Sequence, residues 1–425
     1  MTDVLKILAW IISFILTIYT SYFTVMCLFS FLPLKKGKKF EPKNKFAVVI
    51  AARNEEFVIG NLIDSLKRQQ YPQELYDIIV IPNNCTDNTR MVALSKNTIV
   101  FDCKRIITSK GDVLGEFFDW VLTNDNSYDA FCVFDADNLV SENFLSEINN
   151  AICMEARIGQ GFRDSKNPYD TYISSCSTIY FYMVNKFISR ARGAANLSAM
   201  LNGSGFFVIK DVIKKLGGWH TKTMTEDIEF STKCVLAGEK IHWVPEAIYY
   251  DEQPLSFPES WKQRKRWSTG IIQCCELYVP KLFKSIIKHK SLSAFDFMMV
   301  LFVPFMQIIY LASAVLAVIL YFMIAQYNFF PRTDVFLLLF LSLDVSYFAC
   351  FAITLFFVIA GHNKKKIKML KGVFSFWFFI QSWLIINILC VFKKQTEWTQ
   401  INHTRNLKIN ELAKDDNSSF GSESR

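Results

Sequence analysis

Hydrophobic residues are concentrated at the two ends of this chain, whereas the middle alternates between short apolar runs and amphipathic stretches. The first apolar stretch, residues 4–34, contains a single charged side chain, Lys6, and is followed by a segment rich in lysine. A cleaved signal peptide is shorter and carries its charge before the apolar part. Residues 1–34 are therefore predicted to be a transmembrane signal anchor, with the N terminus outside and the following domain in the cytosol.

Three more apolar stretches follow in the last third of the chain. Residues 295–325 and 335–360 are each long enough to cross a bilayer, and Pro304 predicts a kink in the first of them. Residues 372–392 have lysines on both sides and two amide side chains inside, so they form either a further span or a re-entrant or interfacial segment. The pattern predicts a multi-pass membrane protein.

Polar features of the membrane half add detail. Asp344 lies inside a predicted span, where a carboxylate is either a pathway residue or half of a pair with a neighbouring helix. Lysines alternate with apolar residues over 281–290, which is typical of a helix lying in the membrane interface. We expect the connection at 327–334 outside and the lysine-rich connection at 362–371 inside. The polar, serine-rich tail at 413–425 is expected to be disordered.

The middle of the chain reads as an α/β domain. Apolar runs of strand length alternate with amphipathic stretches, the pattern of a mainly parallel sheet covered by helices. The predicted strands are 46–52, 77–82, 99–102 and one that ends at Asp135, and the predicted helices include 53–66 and one that follows Lys110-Gly111 and runs through Leu122. Two β-α units at the start of such a domain form a nucleotide-binding half-sheet.

The stretch 130–140 carries the first candidate chemistry. Its apolar run stops at Asp135-Ala136-Asp137, as a buried strand does at its carboxyl end. Ligands of open α/β sheets bind beyond such strand ends, and two carboxylates one residue apart can hold a Mg²⁺-like cation whose shell is completed by phosphate oxygens. The pair predicts a nucleotide-phosphate site, although Asp-x-Asp also occurs in ordinary turns and helix caps.

Composition narrows the class of protein. Hydrophobic residues make up 51% of the 425 residues and 40 residues are Phe, and the mean hydropathy is +0.20, which excludes a purely soluble protein of this size. Many of the basic residues behind the formal charge of +8 flank the apolar stretches, so they indicate a membrane edge and no nucleic acid partner. Eleven cysteines without Cys-x-x-Cys spacing are expected to be reduced thiols.

Several short motifs follow one another along the middle of the chain. In order they are Ala51-Ala52-Arg53-Asn54-Glu55-Glu56, Asn83-Asn84-Cys85-Thr86-Asp87-Asn88-Thr89, Lys110-Gly111, Asp135-Ala136-Asp137, Gly203-Ser204-Gly205, Gly217-Gly218-Trp219, Thr225-Glu226-Asp227 and Gln263-Arg264-Lys265-Arg266-Trp267. This order resembles the family 2 inverting glycosyltransferases. The last motif is similar to the Q-x-x-R-W of the membrane-embedded synthases of cellulose, hyaluronan, chitin and poly-N-acetylglucosamine. The resemblance covers 46–270 and implies a cytosolic GT-A type nucleotide-sugar domain flanked by transmembrane helices.

The resemblance also implies roles for individual residues. Asp227 would be the catalytic base with Glu226 beside it, and Asp135 and Asp137 would bind Mg²⁺ or Mn²⁺. The nucleotide sugar is expected to contact Ala52, Arg53, Glu55, Asn83, Lys110, Asp135, Gln263 and Arg266. The acceptor is expected to contact Gly203, Ser204, Gly205 and Trp267, whose indole offers a flat face for a sugar ring. Trp398 and His403 would lie near the catalytic face.

One position departs from the family pattern, in which the loop after the second strand usually begins with Asp. Asn83 occupies that position here. Its amide oxygen can accept from a uracil N–H, but its amide group can also donate, so UDP is the expected nucleotide without a strict preference for uracil.

The motifs also have purely structural interpretations. Acids are favoured in the first turn of a helix, a basic helix can lie on lipid headgroups, and glycines serve turns.

We therefore predict an inverting, metal-dependent hexosyltransferase of the plasma membrane that extends a β-linked polysaccharide from a nucleotide sugar and helps to export it. The alternative is an enzyme that adds one or a few sugars to a lipid, and a third interpretation is a catalytically dead scaffold. Membrane lipids are expected partners, with a second copy or an accessory export protein as a further partner. The predicted divisions are 1–34 anchor, 35–258 catalytic domain, 259–293 interfacial helices, 294–392 membrane region and 393–425 tail.

Overall fold

The computed structural model describes residues 2–34, 37–124, 127–325, 333–360, 366–393 and 406–412. Within them, the central domain is built on a mixed sheet with helices on both faces. The strands are β1 (Phe46–Ala52), β2 (Tyr76–Pro82), β3 (Ile99–Val100), β4 (Ala130–Asp135), β5 (Leu139–Val140), β6 (Ile158–Ser165), β7 (Phe206–Ile209) and β8 (Ile241–Asp251). The α/β class predicted from the sequence is confirmed.

The helices are named in chain order. Those up to the end of the central domain are α1 (Thr2–Phe29), α2 (Ile59–Leu66), α3 (Thr89–Ser95), α4 (Lys110–Asn124), α5 (Phe144–Cys153), α6 (Tyr172–Met183), α7 (Ala191–Ala194), α8 (Lys210–Leu216) and α9 (Glu226–Leu236). Those that follow are α10 (Phe257–His289), α11 (Leu292–Leu301), α12 (Val303–Ala325), α13 (Thr333–Ala360) and α14 (Leu370–Phe392). A π-helical segment, Val184–Arg190, joins α6 to α7.

The strand order across the sheet is β3-β2-β1-β4-β7-β6-β8-β5. Its first four strands are parallel, as the β-α units predict, so the carboxyl ends of β1, β2 and β4 meet at one edge. Beyond β4 the sheet is mixed, because β7 runs antiparallel to both β4 and β6. The second half also contains one parallel pair, β6 with β8, so the predicted parallel pairing is unbroken only in the first half, which forms one wall of the cavity described below.

The parallel strands are buried on both faces, which explains why they read as continuous apolar runs. Alternate residues of β1 point to opposite sides: Val48 joins the core under α2 and α5, and Val49 joins the core under α4, α8 and α9. Both side chains are completely buried. Burial of one such side chain contributes about 1.5–3 kcal/mol to the free energy of unfolding, so the strand ends rest on a rigid support.

Two predicted elements differ from the structure. The helix predicted over 53–66 begins only at Ile59, because Asn54 adopts a left-handed backbone conformation with a φ of 55° and its side-chain oxygen accepts from the Thr86 amide at 2.8 Å. The third strand contains two residues, Ile99–Val100, and not four. After it the chain leaves the sheet, and the Asp102 carboxylate binds the Arg90 guanidinium at 2.9 Å.

Four described helices contain stretches long and apolar enough to cross a membrane, namely Val4–Phe29, Val303–Met323, Leu341–Ile359 and Ile367–Phe392. The span predicted at 295–325 consists of two helices, because α11 ends at Leu301 and α12 begins at Val303, beside the predicted kink at Pro304. The expected loop at 327–334 lies largely outside the described residues, whereas that at 362–371 is described from Lys366 on, as a short 3-10 helix, Lys366–Met369, that leads into α14. Trp398, His403 and the tail at 413–425 lie outside the described residues. Asp344 lies on an exposed face of α13.

The helix α14 answers a question that the sequence left open. It is one continuous helix rather than a pair of short ones, and it packs against the catalytic domain at both ends. Near its start the Gly372 carbonyl lies 3.4 Å from the Cys176 sulfur of α6, and near its end the Cys390 sulfur lies 3.5 Å from the Lys265 carbonyl of α10. The same helix also packs against α12 and α13, since the Asn387 amide donates to the Gln307 side chain at 2.5 Å and the Trp377 indole donates to the Ser346 hydroxyl at 3.0 Å.

A buried ion pair joins the N-terminal helix to the rest of the molecule. The Arg192 guanidinium binds the Asp296 carboxylate of α11 through two hydrogen bonds of 2.7 and 2.8 Å, and the Tyr22 hydroxyl of α1 donates to the same carboxylate at 2.5 Å. Both charged side chains are completely enclosed. Two paired charges with these hydrogen bonds hold α1, α7 and α11 in one arrangement.

Candidate active site

A cavity of about 730 Å³ lies at the carboxyl ends of β1, β2 and β4, between this edge of the sheet and the helix α10. Most of the residues singled out from the sequence line it. They are Arg53, Glu55, Asn83, Lys110, Asp135, Asp137, Gly203, Glu226, Asp227, Gln263, Arg266 and Trp267. Residues 174 positions apart in the chain, such as Arg53 and Asp227, thus share one enclosure.

Three of the singled-out residues are not among those that line the cavity. Ala52 points into the core under the sheet, but its carbonyl accepts from the Asn83 amide at 2.9 Å. The Ser204 hydroxyl is buried, and it accepts from the Asp135 amide at 3.0 Å. Gly205 has a φ of 62°, and a Cβ there would lie 2.1 Å from the Tyr249 ring, so only glycine fits. These residues support the cavity wall from behind.

The position of Asn83 resolves the orientation of its amide. Its side-chain nitrogen lies 3.1 Å from the Ala52 carbonyl oxygen. Because a carbonyl oxygen only accepts hydrogen bonds, the NH₂ group must face it, and the side-chain oxygen then remains as the acceptor that Asn83 offers. At this position Asn therefore presents the same kind of atom as a carboxylate would.

Lys110 connects the strand ends to the opposite wall. Its ammonium binds the Asp135 carboxylate at 2.5 Å and the Gly203 carbonyl at 2.6 Å, and lies 3.9 Å from the Glu226 carboxylate. Burial acts to lower the pKa of Lys110, but Asp135 and Glu226 together act more strongly, so its pKa lies above the ordinary value. The ammonium is held in its charged form inside the cavity.

The helix α9 begins with the acids that the motif predicts. Glu226 and Asp227 occupy its first turn, where the helix dipole favours negative charge. Their position therefore agrees both with the general preference for acids at a helix start and with a role in catalysis. Withdrawal from water, assisted by the neighbouring Glu226 carboxylate, raises the pKa of Asp227 to about 7, against the opposing effects of the Ile228 amide, Lys110 and Arg266. A carboxylate with that pKa can accept a proton near neutral pH.

The helix α10 turns one face to the cavity and another to α14. Gln263, Arg266 and Trp267 are spaced by three and four residues, so they share the face that lines the cavity. Arg266 donates to the Met224 carbonyl at 3.5 Å, and its remaining donors are available to a ligand with paired oxygens. The capping box formed by Ser256 and Glu259 fixes the start of this helix.

Arg264, on the opposite face of α10, binds no carboxylate among the described residues. Its guanidinium donates to the Phe379 carbonyl at 2.9 Å and to the Ser382 hydroxyl at 2.7 Å, both on α14. It also lies 4.2 Å from the centre of the Phe379 ring. Burial lowers the pKa of Arg264 to about 10. The α10 segment that faces the cavity is thus fixed to α14 through a cation enclosed among aromatic rings.

Trp267 marks the end of the cavity nearest to α6 and α14. Its indole stacks at an interplanar angle of 19° on Tyr180 and contacts Phe181 edge to face. Trp383 of α14 completes the cluster, 4.9 Å from Tyr180 between ring centres. Sugar rings stack on such aromatic surfaces, and here the surface lies beside the helices that are apolar enough for a membrane.

Sequence reasoning missed a group of charged residues on β6 and β8. The Arg163 guanidinium binds the Asp251 carboxylate, donates to the Asn202 carbonyl at 3.3 Å and lies 3.7 Å from the Phe181 ring centre. Glu252 also lines the cavity and binds Lys166 at 3.2 Å. The sequence signal available was weak: Asp251 and Glu252 end a long strand, as Asp135 does, without a recognisable motif.

The cavity lining carries more carboxylates than cationic side chains, and this excess of negative charge favours binding of a metal cation. Eight carboxylates and five cationic side chains line it, so a nucleoside diphosphate would add negative charge to an enclosure that already has an excess. Asp135 and Asp137 offer hard oxygen ligands one residue apart, which suits Mg²⁺ or Mn²⁺. Among the described residues no group of three His, Cys, Asp or Glu side chains could hold a metal alone. Asp135 and Asp137 therefore fit a metal cation whose remaining ligands come from the phosphates of the substrate.

Comparison with known proteins gives the arrangement a context. A profile of glycosyl transferase family group 2 matches residues 130–362, more than half of the chain. A probable glycosyltransferase of Bacillus subtilis, YdaM, is 24% identical over 65% of this chain and 67% of its own length. A beta-monoglucosyldiacylglycerol synthase of Nostoc is 24% identical over 53% of this chain and 48% of its own. A poly-beta-1,6-N-acetyl-D-glucosamine synthase of Staphylococcus epidermidis is 24% identical over 59% of each.

The matches thus span about half to two thirds of these curated relatives. Among solved structures, the mannosyltransferase PcManGT from Pyrobaculum calidifontis, in complex with GDP-Man and Mn²⁺, superposes with a TM-score of 0.61. The superposition covers 92% of this chain and 100% of that one at 15% sequence identity. Agreement at such low identity concerns the fold alone, and it confirms the GT-A type fold expected from the motif order.

Proposed function

The chain belongs to glycosyl transferase family group 2, and on that premise we propose that it transfers a sugar, with inversion, from a nucleotide sugar to an acceptor at the membrane surface. One observation carries the proposal. The acids at the start of α9, the Lys110–Asp135 pair at the sheet edge and the cavity-facing residues of α10 line a single cavity. It has room for a donor and an acceptor sugar.

The chemistry follows from these residues. An acceptor hydroxyl attacks the anomeric carbon, the bond from that carbon to the phosphate oxygen breaks, and the nucleoside diphosphate leaves with the bonding electrons. Asp227 takes the proton of the hydroxyl, for which a pKa of about 7 is suited. Glu226 keeps that pKa high and shares the Lys110 ammonium with Asp135.

The leaving diphosphate needs positive charge as it departs. Lys110 and Arg266 supply two fixed cations on opposite walls, and Gln263 supports Arg266 from the preceding turn of α10. Asp135 and Asp137 would hold Mg²⁺ or Mn²⁺, which when bound supplies further countercharge to the diphosphate. The excess of carboxylates in the cavity supports a metal requirement, because the five cationic side chains that line it do not balance the eight carboxylates and the diphosphate.

The nucleotide is proposed to be UDP. The Asn83 oxygen is an acceptor beside the strand ends, and uracil offers one ring N–H for it, while Arg53 and Glu55 complete this end of the cavity. Guanine also carries ring and amino N–H groups, and the mannosyltransferase that shares the fold holds GDP-Man. GDP-sugars are therefore the alternative donors to test.

For the acceptor, we propose a growing β-linked polysaccharide. Trp267 with Tyr180 and Phe181 forms an aromatic surface suited to a sugar chain, and one relative is a polysaccharide synthase. A second candidate is a lipid that receives one or a few sugars. The lipid acceptor is supported by the position of this aromatic surface beside α14, where Trp267 contacts Trp383. A second relative is a beta-monoglucosyldiacylglycerol synthase.

We further propose a plasma-membrane arrangement with the N terminus outside and the catalytic domain in the cytosol. The helices α12 and α13 would cross as a hairpin, whereas α14 would lie in the plane of the inner surface, because both of its ends contact the catalytic domain. Residues 406–412 support this arrangement, since Asn406 accepts from Asn61 of α2 at 2.5 Å. Few spans then remain for an export channel, so a second copy or an accessory protein would complete one.

The experiment is release of nucleoside diphosphate by purified protein in detergent with Mn²⁺ or Mg²⁺. Donors are UDP-glucose, UDP-N-acetylglucosamine, UDP-galactose and GDP-mannose, with Asp227→Asn as control and products sized on a gel. A large product that one specific glycan hydrolase digests, from one donor and absent with the variant, would support the polysaccharide assignment. Turnover only with added lipid, giving small products, would replace it with the glycolipid assignment. No turnover and no metal-dependent nucleotide binding would leave a non-catalytic scaffold.

A further inference from the structure

The loop at 221–225 is part of the cavity wall that leads directly into the first turn of α9. All five of its residues line the cavity. It is enclosed from two sides by close backbone approaches: a Cβ added at Gly111 of α4 would lie 2.3 Å from the Thr221 hydroxyl oxygen, and one added at Gly270 of α10 would lie 2.7 Å from the Thr225 amide nitrogen. The loop therefore packs directly against α4 and α10, and a side chain at either glycine would displace it.

One carboxylate holds the loop from below. Glu229 of α9 is 1% exposed, and one of its oxygens accepts from the Lys222 amide at 2.6 Å and the Thr223 amide at 2.8 Å. Its other oxygen accepts from the Tyr278 hydroxyl of α10 at 2.7 Å and lies 3.4 Å from the Lys233 ammonium. Burial acts to raise the pKa of Glu229, but the hydrogen bonds from Tyr278 and the two amides prevail and lower it.

Side chains of α10 hold the same loop from above. The Met224 amide donates to the Gln273 side-chain oxygen at 2.9 Å, and the Met224 carbonyl accepts from Arg266 at 3.5 Å. Tyr278 lies one turn before the amphipathic end of α10, where Phe283 and Ile287 are exposed. The loop is thus fixed between α9 and a helix whose far end has an apolar outer face.

We propose that Glu229 and Tyr278 are positioning residues that set the 221–225 loop, and with it the distance between the α9 acids and Arg266, for the transfer step. The inference rests on the proposed function. Neither side chain lines the cavity; they act through the Lys222 and Thr223 amides. A displacement of about 1 Å at a reacting centre can cost about a hundredfold in rate, whereas the nucleotide end of the cavity, formed by strand ends, does not depend on this loop.

The test compares Glu229→Gln and Tyr278→Phe with a matched control, Tyr71→Phe. Tyr71 is also a buried tyrosine, and its hydroxyl donates to the Asn44 carbonyl at 2.7 Å, away from the cavity residues. We expect Tyr278→Phe to lower kcat about tenfold and Glu229→Gln about thirty- to a hundredfold, with the affinity for UDP and Mn²⁺, which the sheet wall also holds, falling much less than kcat. Tyr71→Phe should leave both quantities near the wild-type values.

A second readout does not need activity. Hydrogen exchange at the Lys222 and Thr223 amides should accelerate at least about tenfold in Glu229→Gln and Tyr278→Phe, and not in Tyr71→Phe. The proposal is overturned if kcat falls no further than in the control, if nucleotide binding and kcat fall in parallel, or if exchange rises throughout the domain. If the wild type shows no turnover, the proposed function has failed, and exchange at these two amides alone decides whether the pair fixes the loop.

Discussion

The two walls of the cavity are built in different ways. The sheet wall consists of the ends of β1, β2 and β4, and its side chains bind partners within the catalytic domain, as Lys110 binds Asp135 and Asn83 binds the Ala52 carbonyl. The helix wall consists of the 221–225 loop, the start of α9 and the cavity face of α10. Its support comes partly from outside the domain, because Arg264 donates to α14.

The difference has an energetic basis. The sheet wall rests on strands whose side chains are fully buried on both faces, so it can move only if the core opens. The helix wall rests on a 33-residue helix that touches α9, α11 and α14. Packed helix interfaces are where proteins change shape at low cost, so we expect α10 to respond to changes in the membrane-side helices more than the sheet does.

This comparison assigns different functions to the two walls. Base recognition and metal binding should belong to the sheet wall and survive changes in the membrane-side helices, whereas the diphosphate would also contact Arg266 of the helix wall. Proton removal and acceptor placement should belong to the helix wall. Variants that lose transfer activity but still bind nucleotide and metal, or the reverse, would support this division between the walls. Variants that lose binding and transfer together would contradict it.

The largest effect is expected from Asp227→Asn. Removing a general base from the helix wall should lower kcat about a thousandfold. The other first-turn acids of α9 are engaged elsewhere: Glu226 lies 3.9 Å from the Lys110 ammonium, and Glu229 accepts from the Lys222 and Thr223 amides. Isothermal titration with UDP and Mn²⁺ should give a Kd within about threefold of the wild type. Loss of nucleotide binding in this variant would show that the two walls are not independent.

Asp137→Asn should act on the sheet wall. Replacing one charged oxygen ligand should raise the Mn²⁺ concentration required for half-maximal activity about ten- to a hundredfold, while saturating Mn²⁺ restores part of kcat. Asp102→Asn is the control, since Asp102 forms a surface pair with Arg90 outside the cavity. An unchanged metal requirement in Asp137→Asn would remove this residue from the proposed metal site.

The pH dependence should report the helix wall. Since the pKa of Asp227 is raised to about 7, kcat/KM should fall about tenfold per pH unit below pH 7, where the base is protonated. The raised pKa of Asp227 also lowers the free energy of unfolding at high pH, whereas a carboxylate paired with a cation raises it. Ionised Asp227 disfavours the folded state above pH 7, and the cost disappears below the unfolded pKa of about 4.

Thermal unfolding of Asp227→Asn and the wild type checks the linkage. The variant should unfold at the higher temperature at pH 8, and the two curves should converge as the pH falls through 7 towards 4. Equal melting temperatures at pH 8 would mean that Asp227 is not held in the raised-pKa environment described here. The measurement is independent of any substrate.

Much of the sheet wall could be predicted from the sequence. The runs predicted as strands are present as β1, β2 and β4, and the polar residues at or just after their carboxyl ends, Arg53, Asn83 and Asp135, all line the cavity. The start of α2 could not be predicted, because the left-handed turn at Asn54 is stabilised by Thr86, 32 residues away. Local preferences do not contain such a contact.

The helix wall was predicted as motifs but not as an assembly. The Glu226-Asp227 pair and the residues Gln263, Arg266 and Trp267 were predicted from the resemblance of their motifs to the family. The contact of Glu229 with Tyr278 was not, since it joins two helices 49 positions apart in the chain. The same limit applies to Arg163 and Asp251. Nor could the sequence show which side chains join α14 to α6 and α10, because those contacts link residues more than 100 positions apart.

The smallest effect, and the one that tests the sheet wall most finely, concerns Asn83. Asn83→Ala removes the acceptor and should raise the KM for a UDP-sugar about five- to tenfold with little change in kcat, the loss of one hydrogen bond. Asn83→Asp keeps an acceptor toward the base but places a carboxylate oxygen 3.1 Å from the Ala52 carbonyl, so it should bind UDP better than the Ala variant and less well than the wild type. If Asn83→Asp binds GDP-mannose in preference, or if both variants bind UDP as the wild type does, Asn83 does not contact the base, and the nucleotide must be recognised by Arg53 and Glu55 instead.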